Sequence, residues 1–481
     1  MEESYEDPIV IELVNEKFIP IKVDTDKRPD INERYNQDGW PTTAFLTPDG
    51  MIIAGATYLP ASQLAIMLEQ VYNYFQRSDL QFEIQKPAVE KGEVKPVASE
   101  IFDEALMSFD ISYGGFGSEP KFPLPDVIEL ALLKFKQTGD NATLLVATKT
   151  LDGIMGIFDS IEGGFYRYSV TREWNLPHYE KMLETNAQLI SAYIHAYRLN
   201  GEEKYRITAE RTADFLLNVL HGSDGFFGSQ DADKEEEYYG KPLEERRAMP
   251  QPFIDRNVYV SLNALAISAF LELGGRYAEI AIETTENLLN KCFSEDGMCH
   301  YFDGKPNVYG LLSDNINFVK CLMDAYEKTG DGSYIDKARH LMDLAIERFF
   351  DAGFKDRAGD GIGLLSAENR NVIENSFAAE CLVRLAFYTG QTQYRELAEK
   401  TLAIFAKDYG RYRLHAAAYA IAAERFLGAI EITLKNKDLG GIPYDRRIAV
   451  KFDANQEPNI IMCMNSKCLT FNSIEEARKA L

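Results

Sequence analysis

Gly163-Gly164-Phe165-Tyr166 opens a polar loop; an apolar helix over 181–199 follows, then the short turn Asn200-Gly201-Glu202 and a charged helix over 203–220. This run is one period of a pattern that fills most of the chain. Further glycine-led turns, most with an aromatic partner, stand at Tyr113-Gly114-Gly115-Phe116, Asp224-Gly225-Phe226-Phe227, Asp296-Gly297-Met298, Ala352-Gly353-Phe354 and Tyr409-Gly410-Arg411-Tyr412. Shorter turns alternate with them at Thr138-Gly139-Asp140, Gly274-Gly275, Thr329-Gly330-Asp331 and Thr389-Gly390-Gln391. Two turn types in strict alternation mean helical hairpins. All the long loops then emerge on one face, which is where function concentrates.

The short turns join 124–137 to 142–157, 181–199 to 203–220, 257–273 to 277–292, 315–328 to 333–350 and 373–388 to 393–408, with single helices at 97–109 and 412–428. The first helix of each pair is the more apolar, as in Leu262-Asn263-Ala264-Leu265-Ala266-Ile267. The second is amphipathic, so apolar helices form an inner ring and amphipathic ones an outer ring. The expected fold is mainly α: an (α/α)6 toroid over 97–428. An open solenoid is the competing architecture; closure is favoured because the pattern stops at six pairs.

The flanks differ. Residues 1–80 read as a small α/β domain, with strands at Phe18–Val23, Thr42–Thr47 and Met51–Thr57, a helical link over Asp30–Gln37 and a helix over Ala61–Phe75. Residues 81–96, carrying Lys86-Pro87 and Lys95-Pro96, read as a linker. Residues 429–481 read as an α/β appendage with strands at 430–434, 448–452 and 459–463 and a closing helix over Ser473–Leu481.

The 481 residues, 46% hydrophobic, are ample for a large core. A net charge of -24 repels nucleic acid and anionic lipid, and neither is an expected partner. No apolar run is long enough to span a bilayer. Six scattered cysteines fit a reducing compartment, so a cytoplasmic location is expected. There is no P-loop and no dinucleotide fingerprint, and no cofactor or metal is expected.

Phe18-Ile-Pro-Ile-Lys-Val-Asp-Thr-Asp-Lys-Arg-Pro-Asp30 with Gly39-Trp40-Pro41-Thr42-Thr43-Ala44-Phe45-Leu46 resembles the thioredoxin-like domain of the YyaL group, relatives of the spermatogenesis-associated thioredoxin-domain proteins. Gly115-Phe-Gly-Ser-Glu-Pro-Lys-Phe-Pro123, Gly163-Gly-Phe-Tyr-Arg-Tyr-Ser169, Trp174-Asn-Leu-Pro-His-Tyr-Glu-Lys-Met-Leu183 and Ser229-Gln-Asp-Ala-Asp233 are similar to the same group in the same order. The resemblance implies a thioredoxin-like domain followed by a toroid like those of N-acylglucosamine 2-epimerases and six-hairpin glycosidases. Members usually carry a Cys-His-Trp-Cys-His segment just before the part that matches Met1. Here the first cysteine is Cys292, so the domain is expected to be a truncated one without redox cysteines, and Pro41 a structural turn.

At the toroid mouth, helix N-termini favour carboxylates and substrate oxygens. Pro177 suits the first turn of the second inner helix, which puts His178, Tyr179 and Glu180 at the rim. His178 there either carries protons, tuned by Glu180, or braces the loop. Arg167, Tyr168 and Trp174 add the aromatic faces and hydrogen-bonders that a sugar ring needs, and Phe116, Glu119 and Lys121 join them from the first loop. Asp231 and Asp233, beside Gln230, serve acid/base work, hold a cation or are plainly solvated. Asn186, Asp255, Asn257, Asp314, Asn315, Glu374 and Asn375 start inner helices; capping explains each singly, and their recurrence points to a polar lining. His300, paired with His178 across the mouth, or His415, would suit an epimerase. Cys463-x4-Cys468 suits a reactive pair or half a metal site, but no matching Cys/His pair is evident, and inert thiols are the first reading. A carbohydrate-active or carbohydrate-binding site at the mouth is the first expectation, with epimerase-like chemistry or glycosidase-like chemistry on a carboxylate pair drawn from Asp231, Asp233, Glu180 and Glu119. A protein-contacting scaffold is the second, and a thiol-redox protein the third.

Overall fold

The structure, a computed structural model, describes residues 2–77, 84, 88–232, 237–437, 441–465 and 467–480. The linker expected over 81–96 falls partly outside them, as do Asp233 and Leu481. Two compact units form: Met1–Ala88 with Lys355–Asn369, and Val89–Phe354 with Arg370–Leu481.

In the first unit, helices Pro8–Lys17 and Ala61–Arg77 cover a hairpin of strands Thr43–Leu46 and Ile52–Ala56. The core is Val10, Phe45, Leu64, Leu68 and Val71. Arg34 forks onto Asp356 at 2.6 and 3.0 Å, with both side chains 6% exposed, and so ties the distant segment 355–369 into this unit. The expected strand at Phe18–Val23 does not form. Ile19 and Ile21 stand 90% and 80% exposed, and a strand needs a ladder partner that no described residue supplies.

The second unit carries, among the described residues, twelve helices of nine residues or more, labelled in chain order: α1 Ala98–Leu106, α2 Pro125–Thr138, α3 Asn141–Ile154, α4 Leu183–Asn200, α5 Glu203–Val219, α6 Val260–Leu273, α7 Gly275–Cys292, α8 Leu312–Thr329, α9 Ser333–Phe349, α10 Val372–Thr389, α11 Thr392–Ala403 and α12 Ala416–Gly428. Even-numbered helices are buried nearly all round, as α6 is. Odd-numbered ones bury one face; in α5 that face is Tyr205, Thr208, Ala209, Thr212, Ala213 and Leu216. The spacing of three or four residues is the amphipathic signature of an outer helix.

The ring closes. Each even helix packs on the next, α12 packs on α2, and α1 takes the outer place beside α12 and α2. Four inner helices end in a left-handed glycine: the N–H of Gly201 (φ 73°) bonds to the Tyr197 carbonyl at 2.7 Å, and the same cap closes α2, α8 and α10. Glycine is required there because a Cβ disfavours that backbone region. No helix among the described residues is long and apolar enough to cross a membrane.

After α12 comes a sheet of four strands rather than three: Ile448–Phe452, Ile430–Leu434, Ile460–Met464 and Lys467–Phe471, in that spatial order, the first pair parallel and the others antiparallel. Helix Ile474–Arg478 packs its Ala477 onto the sheet core. Cys463 and Cys468 are joined by a disulfide, which corrects the reading of two free thiols: the unforeseen fourth strand sets them directly opposite each other.

Candidate active site at the toroid mouth

The first two loops that enter the inner helices are tied by the same device. In the second loop the N–H of Gly163 bonds to the Asp159 carbonyl at 2.9 Å, and the Asp159 carboxylate accepts from Lys181 at 2.7 Å and from Arg246 at 2.6 Å. Burial works against the Asp159 charge, but the Lys181 ammonium and Arg246 hold its carboxyl below the usual range. The first loop repeats this. Asp110 receives Lys121 at 2.7 Å and Arg172 at 2.7 and 2.9 Å, and those hydrogen bonds, Arg172 foremost, hold its carboxyl well below the usual range. Lys121 and Lys181 are fully buried. Trp174 is buried too, its Nε1 donating to the Gly114 carbonyl at 3.1 Å.

A second device recurs one turn into each helix. Asn186 Oδ1 accepts the Phe165 N–H at 2.6 Å while its Nδ2 donates to the Phe165 carbonyl at 3.1 Å. Asn263 grips Phe226 in the same way at 2.7 and 2.9 Å, and Asn375 grips Phe354 at 2.8 and 2.9 Å. Asn315 accepts from Met298 at 3.0 Å. These amides are buried and clamp the turn that precedes their own helix. Phe116 is buried at the corresponding turn of the first loop, and Glu119 is exposed beyond it.

Several of the expected residues come together on one hairpin. Pro177–His178 is a strand paired with Tyr168–Ser169, not the first turn of a helix; α4 begins only at Leu183. The cause is the ladder with Tyr168–Ser169, which keeps the backbone extended. Tyr168 faces His178 in register, the rings stack at 4.9 Å, and Phe122 packs on the Tyr168 ring at 4.7 Å. Arg167 Nη1 lies 2.7 Å from Glu180 Oε2, and His178 Nδ1 lies 3.9 Å from the same oxygen. His178 Nδ1 has no hydrogen-bond partner among the described residues. The hairpin thus offers an aromatic face, an ion pair and an imidazole within a few ångströms.

The others lie apart from this cluster. Tyr179 stacks on Tyr239 at 5.3 Å, and the Tyr239 hydroxyl donates to the Asp231 carbonyl at 2.7 Å. The Asp231 side chain is exposed. Gln230 pairs in register with Lys181 and Ile254; its amide is fully buried, with no partner on Oε1 or Nε2 among the described residues. His300 is buried with Nδ1 at 3.0 and 3.1 Å from the two Asp314 carboxylate oxygens. His415 is exposed just before α12. Asp255 and Asn257 line a surface cavity of about 690 Å³ with Asp224, Phe253 and Asp303.

Charged groups that sequence reasoning missed converge along the toroid axis. His195 of α4 sits between Glu129 of α2 (2.7 Å) and Glu272 of α6 (3.1 Å). Tyr444 stacks on its ring at 4.0 Å and donates to Glu129 at 2.5 Å. Burial opposes the His195 charge, yet the two glutamates outweigh it and its pKa is raised; Glu272, opposed by burial but facing His195, is pulled down to about 2. Glu380 of α10 holds Arg425 of α12 at 3.1 Å and Arg446 at 3.5 Å. A cavity of about 400 Å³ opens beside this network, lined by Glu272, Lys320, Asp324, Arg384, Tyr444 and Arg446 among others. Asp126, half-buried in the first turn of α2, is pushed up to about 6 by burial and by the charges of Glu129, Glu380 and Glu184, with Arg446 opposing. The signal was present as charged residues inside otherwise apolar helices, such as Val127-Ile128-Glu129-Leu130 and Ile194-His195-Ala196.

The closed ring with loops gathered at one end has solved counterparts among sugar-converting toroids. Cellobiose 2-epimerase of Spirochaeta thermophila superposes with a TM-score of 0.54 at 13% identity, over 69% of this chain and 98% of that one. D-mannose isomerase gives 0.53 at 11% identity, over 71% and 100%. At such identities the likeness is one of fold. Residues 1–92 match the family model described as Thioredox_DsbH, a protein of unknown function (DUF255). Spermatogenesis-associated protein 20 of Homo sapiens is 29% identical over 280 residues, 50% of this chain and 36% of that one, so the chain spans about a third of the length of the curated relatives it matches. The resemblance read from the motifs is therefore found in the family model, in these relatives and in epimerase-type toroids.

Proposed function

We propose that the protein binds a saccharide at the toroid mouth and carries out acid/base chemistry on it of the epimerase or isomerase type. The observation that carries this reading is the hairpin cluster of Arg167, Tyr168, His178 and Glu180 beside exposed Phe122. A sugar ring packs its C–H face on an aromatic ring, while Arg167 and Glu180 hydrogen-bond its hydroxyls. His178, its side chain 39% exposed and its Nδ1 beside Glu180, removes or returns a proton at a carbon next to a carbonyl.

The test is proton exchange in heavy water. A panel of aldoses, ketoses and disaccharides is followed by NMR for deuterium uptake beside the carbonyl and for new epimers. His178→Ala and Glu180→Gln should each lower kcat/KM by about 100-fold or more while the protein stays folded. No binding and no deuterium uptake across the panel would remove this reading.

One observation favours a second reading, a protein-contacting scaffold. The first unit exposes Ile19, Ile21, Trp40 (61%) and Tyr58 (56%), more large apolar surface than a small domain needs. A partner that protects these side chains from labelling, with no sugar activity in the panel, would establish that role instead.

A further inference from the structure

The sheet after α12 sets three reactive side chains in one row. Reading straight across its strands, Ala449 faces Glu431, Glu431 faces Cys463, and Cys463 faces Cys468. Directly opposed residues project from the same face with Cβ atoms about 4.5–5.5 Å apart. The Glu431 carboxyl is therefore the cross-strand neighbour of Cys463, as Cys463 is of Cys468. The opposite face holds the apolar core of Ile430, Ile432, Val450, Ile460 and Met462, so this row looks away from it. Cys463 is half-buried and Cys468 is exposed on the edge strand. The other four cysteines, Cys292, Cys299, Cys321 and Cys381, are buried and free.

We infer that Cys463, Cys468 and Glu431 form a thiol–disulfide exchange site, with exposed Cys468 the attacking sulfur, Cys463 the resolving one and Glu431 its proton acceptor. The partner is a disulfide or dithiol, from a small thiol or from a protein. In the reduced state the Cys468 thiolate attacks the partner disulfide R–S–S–R. A Cys468–S–S–R bond forms, and the first R–S leaves, taking up a proton. Glu431 then accepts the Cys463 proton, and the Cys463 thiolate attacks Cys468 Sγ. The Cys463–Cys468 bond forms and the second R–S leaves as a thiol. Two electrons and two protons pass from the chain to the partner. Run backwards, the same steps oxidise a partner dithiol.

Three features support this beyond the pair itself. The closed ring spans two strands of one hairpin, so it constrains little chain and serves poorly as a staple, because the entropy a crosslink removes grows with loop length. Attack needs an accessible sulfur, and the two cysteines differ in exposure, which fixes their order of reaction. Glu431 is half-buried, and burial raises its pKa, with Arg395 opposing, which makes it a better proton acceptor than an ordinary surface carboxylate.

The experiment uses the full chain equilibrated in glutathione buffers of set ratio, quenched with an alkylating agent and read by intact mass and peptide mapping. Wild type should pass reversibly between an unlabelled pair and a doubly labelled one, with the four buried thiols protected. Cys463→Ser should accumulate glutathione on Cys468, and Cys468→Ser should form its adduct at least tenfold more slowly. Glu431→Gln should slow closure of the mixed disulfide at least threefold; an unchanged rate removes Glu431 from the site. A disulfide that resists fully reducing glutathione and a thioredoxin-type dithiol while the chain stays folded overturns the proposal, as does equal reactivity of the two cysteines. Reduction by the protein dithiol alone assigns a protein partner; reduction by glutathione as well assigns a small thiol. Melting curves identify any variant that has lost its fold, and Cys→Ala versions replace it.

Discussion

Asp126 shows how a single carboxyl reports the field inside the ring. Its folded pKa, about 6, lies above the unfolded value, so its contribution to stability is present below about pH 4 and is lost as pH rises through 6. Asp126→Asn should therefore stabilise the protein at pH 7 by about 1–2 kcal/mol, the shift being discounted for partial exposure, and should make no difference below pH 4. Urea unfolding at the two pH values measures this, and equal effects at both would refute it. His195 runs the other way. Its raised pKa adds stability that is complete below about pH 6.5 and fades as pH climbs through the folded value. The lowered pKa values of Glu129 and Glu272 add stability above about pH 4.5 that is lost as pH falls. His195→Ala should cost about 3 kcal/mol between those limits, because it leaves two buried glutamates uncompensated. The penalty should shrink under alkaline conditions. The chain shows Glu129 and His195 as charged residues inside apolar helices but not their pairing, because they are 66 positions apart and meet only when α2 and α4 become ring neighbours.

At the scale of the element, the alternation of turns was legible because each turn type has its own local chemistry: a left-handed glycine cap after an inner helix, a glycine–aromatic turn before the next. What those turns require was less visible. Asn186 and Asn375 look like ordinary capping residues and Asn263 like one polar residue in an apolar helix, yet each reaches back to the N–H and carbonyl of an aromatic residue 21 or 37 positions earlier. Asn263→Ala would leave two buried backbone groups of Phe226 unpaired and should cost about 1–3 kcal/mol, seen as a lower melting temperature. Gly164→Ala should be comparable or worse: φ is +77°, and the added Cβ would lie 2.4 Å from the Phe215 ring. A melting temperature unchanged by both substitutions would mean that the loops are not held in this way. The strand read at Phe18–Val23 failed for an opposite reason. Its composition is that of a strand, but strand geometry depends on a neighbour, and composition does not supply one. The hairpin at Tyr168–His178 was hidden likewise, since Pro177 satisfies either a helix start or a strand end.

For the whole molecule, the segment that follows α12 proves as much part of the toroid as the helices are. Tyr444 and Arg446 enter the axial network, and Tyr444 covers the His195 ring. Tyr444→Ala should cost about 3 kcal/mol and enlarge the adjoining cavity, whereas Tyr444→Phe, which keeps the stack and loses only the hydroxyl, should cost less. Denaturant titration distinguishes the two, and equal losses would assign the effect to the Glu129 hydrogen bond alone. That appendage could be read as α/β, but its insertion could not, since nothing local in Pro443-Tyr444-Asp445-Arg446 points to burial.

The ring has one joint unlike the rest. Five inner helices are tied to their outer partners by a few residues of turn, but α12 finds its companion in α1, made some three hundred positions earlier. While the chain is being synthesised, the helices already released form an arc with two raw apolar borders, and no shorter product can seal it. A stalled or prematurely stopped chain should therefore be chaperone-bound or degraded rather than partly active, and the border left by α1 is the surface by which the cell would know it.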